Sequence, residues 1–260
     1  MTTLFDFFRS CNQAINGGTM IRRESSHDKE FHFQHWIRNR ISETSHLFEE
    51  GGRNAYPDFR IVHLAEGYEV KGLAYPGRWL NYDSNSQVPT GLHNGRTIYY
   101  VFGRYPKQPD GNSYPVLDMV ICHGDFLNVD HEYIHENKAV RGFGSYGDIL
   151  IRDRKMYVAP TPYGLLEGAA HHQTLVVPSD ITIPNGFKEV GSIIRTEVDE
   201  LVVKYALDLR KNELSTERVR NPNAGREHGF RALRLIDGLN TPVTLRSDAT
   251  EVDSVEGDPG

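Results

Sequence analysis

Two short runs, Asp58 to Leu64 and Tyr68 to Leu73, are separated only by Ala65-Glu66-Gly67, and this spacing constrains the chain more than any other feature. Both runs carry β-branched and aromatic residues, which favour strands, and a three-residue link with a glycine makes a tight connection. An antiparallel hairpin is therefore expected. Successive side chains of a strand point to opposite faces, so Glu69 and Lys71 share one face while Val70 points into the core. Asp58 then sits at the open end of the first strand, near Glu69. Two carboxylates and one ammonium in one small site suit a hard divalent cation, with positions left for water and a phosphate oxygen. Lys71, held near that water, can help generate hydroxide and offset charge on a pentavalent phosphate.

The rest of the chain reads as a mixed sheet flanked by helices, an α/β or α+β domain. Glu30 to Glu50 has Phe33, Ile37, Ile41 and Phe48 near helical spacing and ends at Gly51-Gly52, which predicts a helix. Arg96 to Tyr105 and Val116 to Cys122 read as strands around a Pro-Asp-Gly turn. Gly142 to Gly147 forms a glycine-rich loop before a strand or hairpin over Ile149 to Val158. Val190, Ile194, Val198, Leu201, Val202, Tyr205 and Leu209 fall on one helical face, predicting a long helix, and a second short helix is expected over Arg226 to Ile236. Residues 1–246 read as one domain with helical additions, and residues 247–260 as an acidic, disordered tail.

Pro57-Asp58, ten intervening residues, then Glu69-Val70-Lys71 resembles the PD-x(n)-(D/E)-x-K motif of the restriction-endonuclease-like nuclease superfamily. The surroundings are similar too, with a helix before the motif, a hairpin carrying it, and strands after it. The resemblance covers residues 30–75. It implies a restriction-endonuclease-like sheet core and Mg²⁺, or Mn²⁺ as substitute, held by Asp58, Glu69 and the Val70 carbonyl. It also makes Asp58, Glu69 and Lys71 the catalytic set. Many members of this superfamily add an acid from the preceding helix, for which Glu43, Glu49 and Glu50 are the candidates here. Roughly 185 residues follow the motif, room for sequence readout and dimerisation. That favours a type II restriction enzyme, a homodimer cutting a short palindromic DNA site, over a repair or junction-resolving nuclease of the same type.

A net charge of −6 looks unsuited to DNA, but five acids and no base lie in 247–260, so the remainder carries only −1. Lys138 to Lys155 is net +3 and Arg210 to Arg234 net +4, and local clusters set the field that a phosphate backbone meets. Arg152, Arg154 and Lys155 beside the glycine-rich loop, and Asn85, Gln87 and Arg96 just beyond the hairpin, are the expected DNA-binding residues. Two cysteines, Cys11 and Cys122, point to buried thiols in a reducing cytoplasm. No apolar run is long enough to cross a membrane, and Met1 to Phe8 lacks the marks of a secretory leader.

Histidines offer a rival reading. His123, Asp125, Asp130, His131 and His135 fall within thirteen residues, His131 and His135 share a face if that stretch is helical, and His171-His172 could add a ligand. That set would make a zinc or iron hydrolase. A DNA-binding or scaffold protein with a coincidental acidic pair is the third possibility.

Overall fold

The computed structural model describes residues 2–23, 29–52, 55–85, 87–108, 111–129, 140–153, 156–208, 210–211, 213–238 and 241–246. Its centre is a nine-stranded mixed sheet, whose strands are numbered here in chain order: β1 Phe48–Glu50, β2 Phe59–Ile61, β3 Glu66–Tyr75, β4 Leu92–His93, β5 Arg96–Pro106, β6 Asp118–His123, β7 Gln173–Pro178, β8 Phe187–Thr196 and β9 Glu227–Leu235. The spatial order is β8-β9-β7-β6-β5-β3-β2-β1, with β4 paired to the start of β5. β5 is buried from Ile98 to Tyr105 without a break, as befits a central strand covered on both faces.

Two helices cover one face. In α1, Leu4–Asn16, the buried residues Leu4, Phe7, Phe8, Cys11 and Ala14 recur at helical spacing, and in α2, Lys29–Ser42, Phe33, Ile37 and Ile41 do the same. They pack with Tyr68, Val70, Tyr99, Val101 and Ile121 in one core. Glycine lets α2 settle close. A Cβ on Gly72 would stand 2.8 Å from the Tyr105 ring, and one on Gly103 would run into the Phe33 ring. Glu66, the first residue of β3, accepts from the hydroxyls of Thr2, Thr3 and Tyr68, so a buried carboxylate lies at the amino end of α1, where the helix dipole favours it.

The opposite face is covered by a four-stranded sheet in the order Val140–Phe143, Ile149–Asp153, Met156–Pro160, Asn81–Asn85. Its origin is topological. β3 and β5 are parallel, as are β6 and β7, and parallel neighbours need a long crossover. The crossover from β3 supplies Asn81–Asn85, and the crossover from β6 supplies the other three strands. Both return over the same face, where Tyr82, Ile149, Ile151 and Tyr157 meet Tyr100, Phe102 and Val120.

Several expectations hold. The 58–73 segment is an antiparallel hairpin with Phe59 opposite Tyr68, and 149–158 is a hairpin. Others are corrected. The helix expected over Glu30 to Glu50 is α2 and stops at Ser42, and 48–50 is an edge strand. The long helix expected over 190–209 is instead β8 and the strand Glu200–Asp208, the latter paired with Glu213–Arg220 in a two-stranded ribbon. The short helix expected over Arg226 to Ile236 is β9. Val190, Ile193, Ile194, Thr196 and Val198 are β-branched, and a bulge between Glu189 and Gly191 shifts the register, so apolar spacing imitates a helical period within a strand. The two helices expected beyond the motif are therefore strands. Cys11 and Cys122 are buried free thiols, and among the described residues no helix is long and apolar enough to cross a membrane.

Candidate active site

The hairpin places Asp58 where β2 has not yet begun, one step beyond the Phe59–Tyr68 pair and so beside Glu69. Its carboxylate substitutes for the missing strand. The Val70 N–H donates to Asp58 Oδ2 at 2.8 Å, and Gln34 Nε2 from α2 donates to Oδ1 at 2.9 Å. A strand residue directs its N–H and C=O to the same side, so the Val70 carbonyl faces the same edge. Val70 itself is 2% exposed within the helix-covered core, and Glu69 and Lys71 therefore lie on the other face, under the second sheet. Lys71 Nζ bonds Glu69 Oε1 at 2.7 Å. Glu69 Oε2 is buried and has no hydrogen-bond partner among the described residues.

These donors fit a hard cation. Each Asp58 oxygen accepts one of the bonds just described. Glu69 has one oxygen without a hydrogen-bond partner among the described residues, and the Val70 carbonyl lies along the strand edge that Asp58 meets. All are hard oxygen ligands of the type Mg²⁺ prefers. Two carboxylates are the full acidic contribution, since among the described residues no three His, Cys, Asp or Glu side chains are grouped closely enough to hold a metal. The helix acids need correction. Glu43 lies beyond α2 against Ser10 and Arg40, and Glu49 and Glu50 are on β1, Glu50 paired with Arg38. The α2 side chain that reaches Asp58 is Gln34.

An aromatic wall closes the site. Tyr82, on Asn81–Asn85, has its ring centroid 6.0 Å from Lys71 Nζ and 5.3 Å from Phe102. Tyr56 and Tyr100 share a hydroxyl hydrogen bond of 2.8 Å. Burial above all, with nearby groups including Tyr56 and Glu69, holds the Tyr82 and Tyr100 phenols well above their usual range, so both are neutral at ordinary pH. Neither Gln34 nor Tyr82 lies in the motif, and no spacing in the sequence marks them.

The expected DNA-binding residues divide. Asn85 ends its strand opposite Met156, and Arg152 lies on Ile149–Asp153 in the same sheet. Two stretches far apart in sequence are thus brought together. Gln87 hydrogen-bonds the Val88 carbonyl at 3.1 Å. Arg96 donates to the Ile61 and Leu64 carbonyls at 3.0 and 2.9 Å, bracing the β2–β3 connection. Arg154 and Lys155 lie outside the described residues, as do Asp130, His131, His135 and the 247–260 tail. Of the remaining histidines, His123 Nδ1 accepts from the Asp125 N–H at 3.1 Å and is 3.6 Å from its carboxylate, while His171 lies edge-on to Tyr75.

Compared with protein-family models, with curated proteins and with solved structures, the chain finds no match in any of the three.

Proposed function

We propose that this chain is a Mg²⁺-dependent DNA endonuclease of the PD-(D/E)XK type that cuts as a type II restriction enzyme. One observation carries the reading. Glu69, beside Lys71 and opposite a braced Asp58 in the hairpin, presents a buried oxygen with no hydrogen-bond partner among the described residues, which is the order the motif requires. Asp58, Glu69 and the Val70 carbonyl would hold the cation. When bound, it supplies positive charge against the phosphate and a more acidic water.

The protein groups do the rest. Gln34 and the Val70 N–H fix both Asp58 oxygens, so little orientation is lost on binding. Lys71 is oriented by Glu69, and its ammonium offsets charge developing on the scissile phosphate. Asn85 and Arg152 lie on strands of one sheet, and that sheet is the element we assign to groove reading. Cutting both strands of a symmetric site calls for two such centres, hence a homodimer.

The test is cleavage of supercoiled plasmid with Mg²⁺, with EDTA, and with Glu69→Gln. Discrete fragments with uniform ends, lost with EDTA or with the substitution, are the expected result. Cutting at junctions or damaged sites alone would place the enzyme in repair or resolution instead. Undiminished cutting in EDTA would reject the assignment.

A further inference from the structure

Glu69 Oε2 is not the lone open group under the second sheet. Tyr82 is 6% exposed, and its hydroxyl also has no hydrogen-bond partner among the described residues. The two belong to different layers. Glu69 stands on β3 on the face turned away from the helices, and Tyr82 comes down from the crossover strand, its ring 6.0 Å from the Lys71 ammonium that Glu69 holds. Buried polar atoms are rarely left unpaired, and where two face one polar site an ordered water commonly serves both. The phenol is neutral and able to donate, and the carboxylate oxygen can only accept. Their chemistry is complementary.

We propose that Tyr82 is a positioning residue for the cation site, its hydroxyl and Glu69 Oε2 sharing one bound water. With Lys71 on Oε1 and that water on Oε2, the carboxylate is held at both ends, and the second lone pair of Oε2 is left to face the cation in a fixed direction. Such outer partners commonly set metal affinity by 10- to 100-fold. The inference rests on the nuclease reading, because that reading makes Glu69 a ligand. It adds a residue from another element and gives the crossover strand a task beyond covering the sheet.

Tyr82→Phe removes one hydroxyl and nothing else. Tyr114→Phe is the matched control, since the Tyr114 hydroxyl is likewise buried and unpartnered but belongs to the core under the helices. Isothermal titration of the full chain with Mn²⁺, and melting without metal, give two readouts besides cleavage. Tyr82→Phe should bind Mn²⁺ about tenfold more weakly with a melting temperature no higher than that of the unaltered chain. Tyr114→Phe should leave Mn²⁺ affinity unchanged. Mn²⁺ affinity in Tyr82→Phe within about twofold of the unaltered chain, far short of the expected range, would overturn the assignment. A raised melting temperature would do so as well, because a dry, unsatisfied hydroxyl is better removed. If the unaltered chain binds no Mn²⁺ and cuts no DNA, the nuclease reading falls and this inference with it. Failure at Tyr82 alone leaves that reading standing.

Discussion

Two ion pairs sit on adjoining strands of one sheet and are built to opposite ends. Arg104 on β5 and Asp118 on β6 are fully buried, and the carboxylate accepts from Arg104 Nε at 2.9 Å, from the Tyr163 hydroxyl at 2.8 Å and from the His171 N–H. The rings of Tyr75, Trp79 and Tyr163 surround the guanidinium, with centroids 4.4, 4.6 and 5.0 Å away. Glu69 and Lys71 meet at 2.7 Å, and among the described residues the other oxygen of Glu69 has no hydrogen-bond partner. A closed network fixes a fold, whereas an open one has capacity for a ligand. Burial alone does not separate the two. Saturation of the hydrogen bonds does.

The largest expected effect tests the closed pair. Arg104→Met strands Asp118 in the core, and urea unfolding should show a loss of about 3–5 kcal/mol. A loss below about 1 kcal/mol, the scale of an exposed pair, would break the comparison. The second test falls on the open pair. Lys71→Met should lower Mg²⁺-dependent cleavage by about 10²–10³-fold, ~3–4 kcal/mol on the barrier, and urea stability should fall by less than in Arg104→Met, because the Lys71 and Glu69 side chains keep 18% and 12% exposure and water screens the carboxylate left behind. Equal damage to folding and to cutting would make Lys71 a structural residue.

A smaller effect is expected at the brace. Gln34→Ala removes the hydrogen bond to Asp58 Oδ1, and Mn²⁺ binding should weaken about tenfold, measured by titration at constant ionic strength. The smallest effect concerns another buried titratable group. Burial lowers the His123 pKa below 6.5, so the folded chain holds the neutral ring while the unfolded chain takes up a proton. The stability this provides is complete above about pH 6.5 and is lost as pH falls through the window beneath it. His123→Asn should flatten that acid limb by up to about 1.4 kcal/mol per pH unit. An unchanged slope in a pH series of melts would show that His123 does not titrate there.

What was legible in the sequence was local. The hairpin follows from strand-forming residues on both sides of a three-residue link, and the shared face of Glu69 and Lys71 follows from the two-residue period. The buried stripe of Phe33, Ile37 and Ile41 follows from the helical one. The same logic misread 190–209, where β-branched residues and a bulge at Glu189–Gly191 carried a helix-like spacing. It also overlooked α1, whose Leu4, Phe7, Phe8 and Cys11 stripe was open to the same count. The helix acids failed for a related reason. Extending α2 to Glu50 places on it acids that belong to a turn and an edge strand.

The sequence by itself determined the chemistry on offer at 58–71, because residue type and strand period are properties of neighbours along the chain. Only the tertiary structure decided which partners those side chains have. Gln34 lies 24 residues from Asp58, Tyr82 descends from a crossover strand that exists because β3 and β5 run parallel, and the open oxygen of Glu69 is defined by what fails to reach it. Hydrogen-bond saturation depends on atoms brought together by the whole topology, and no window along the chain contains them.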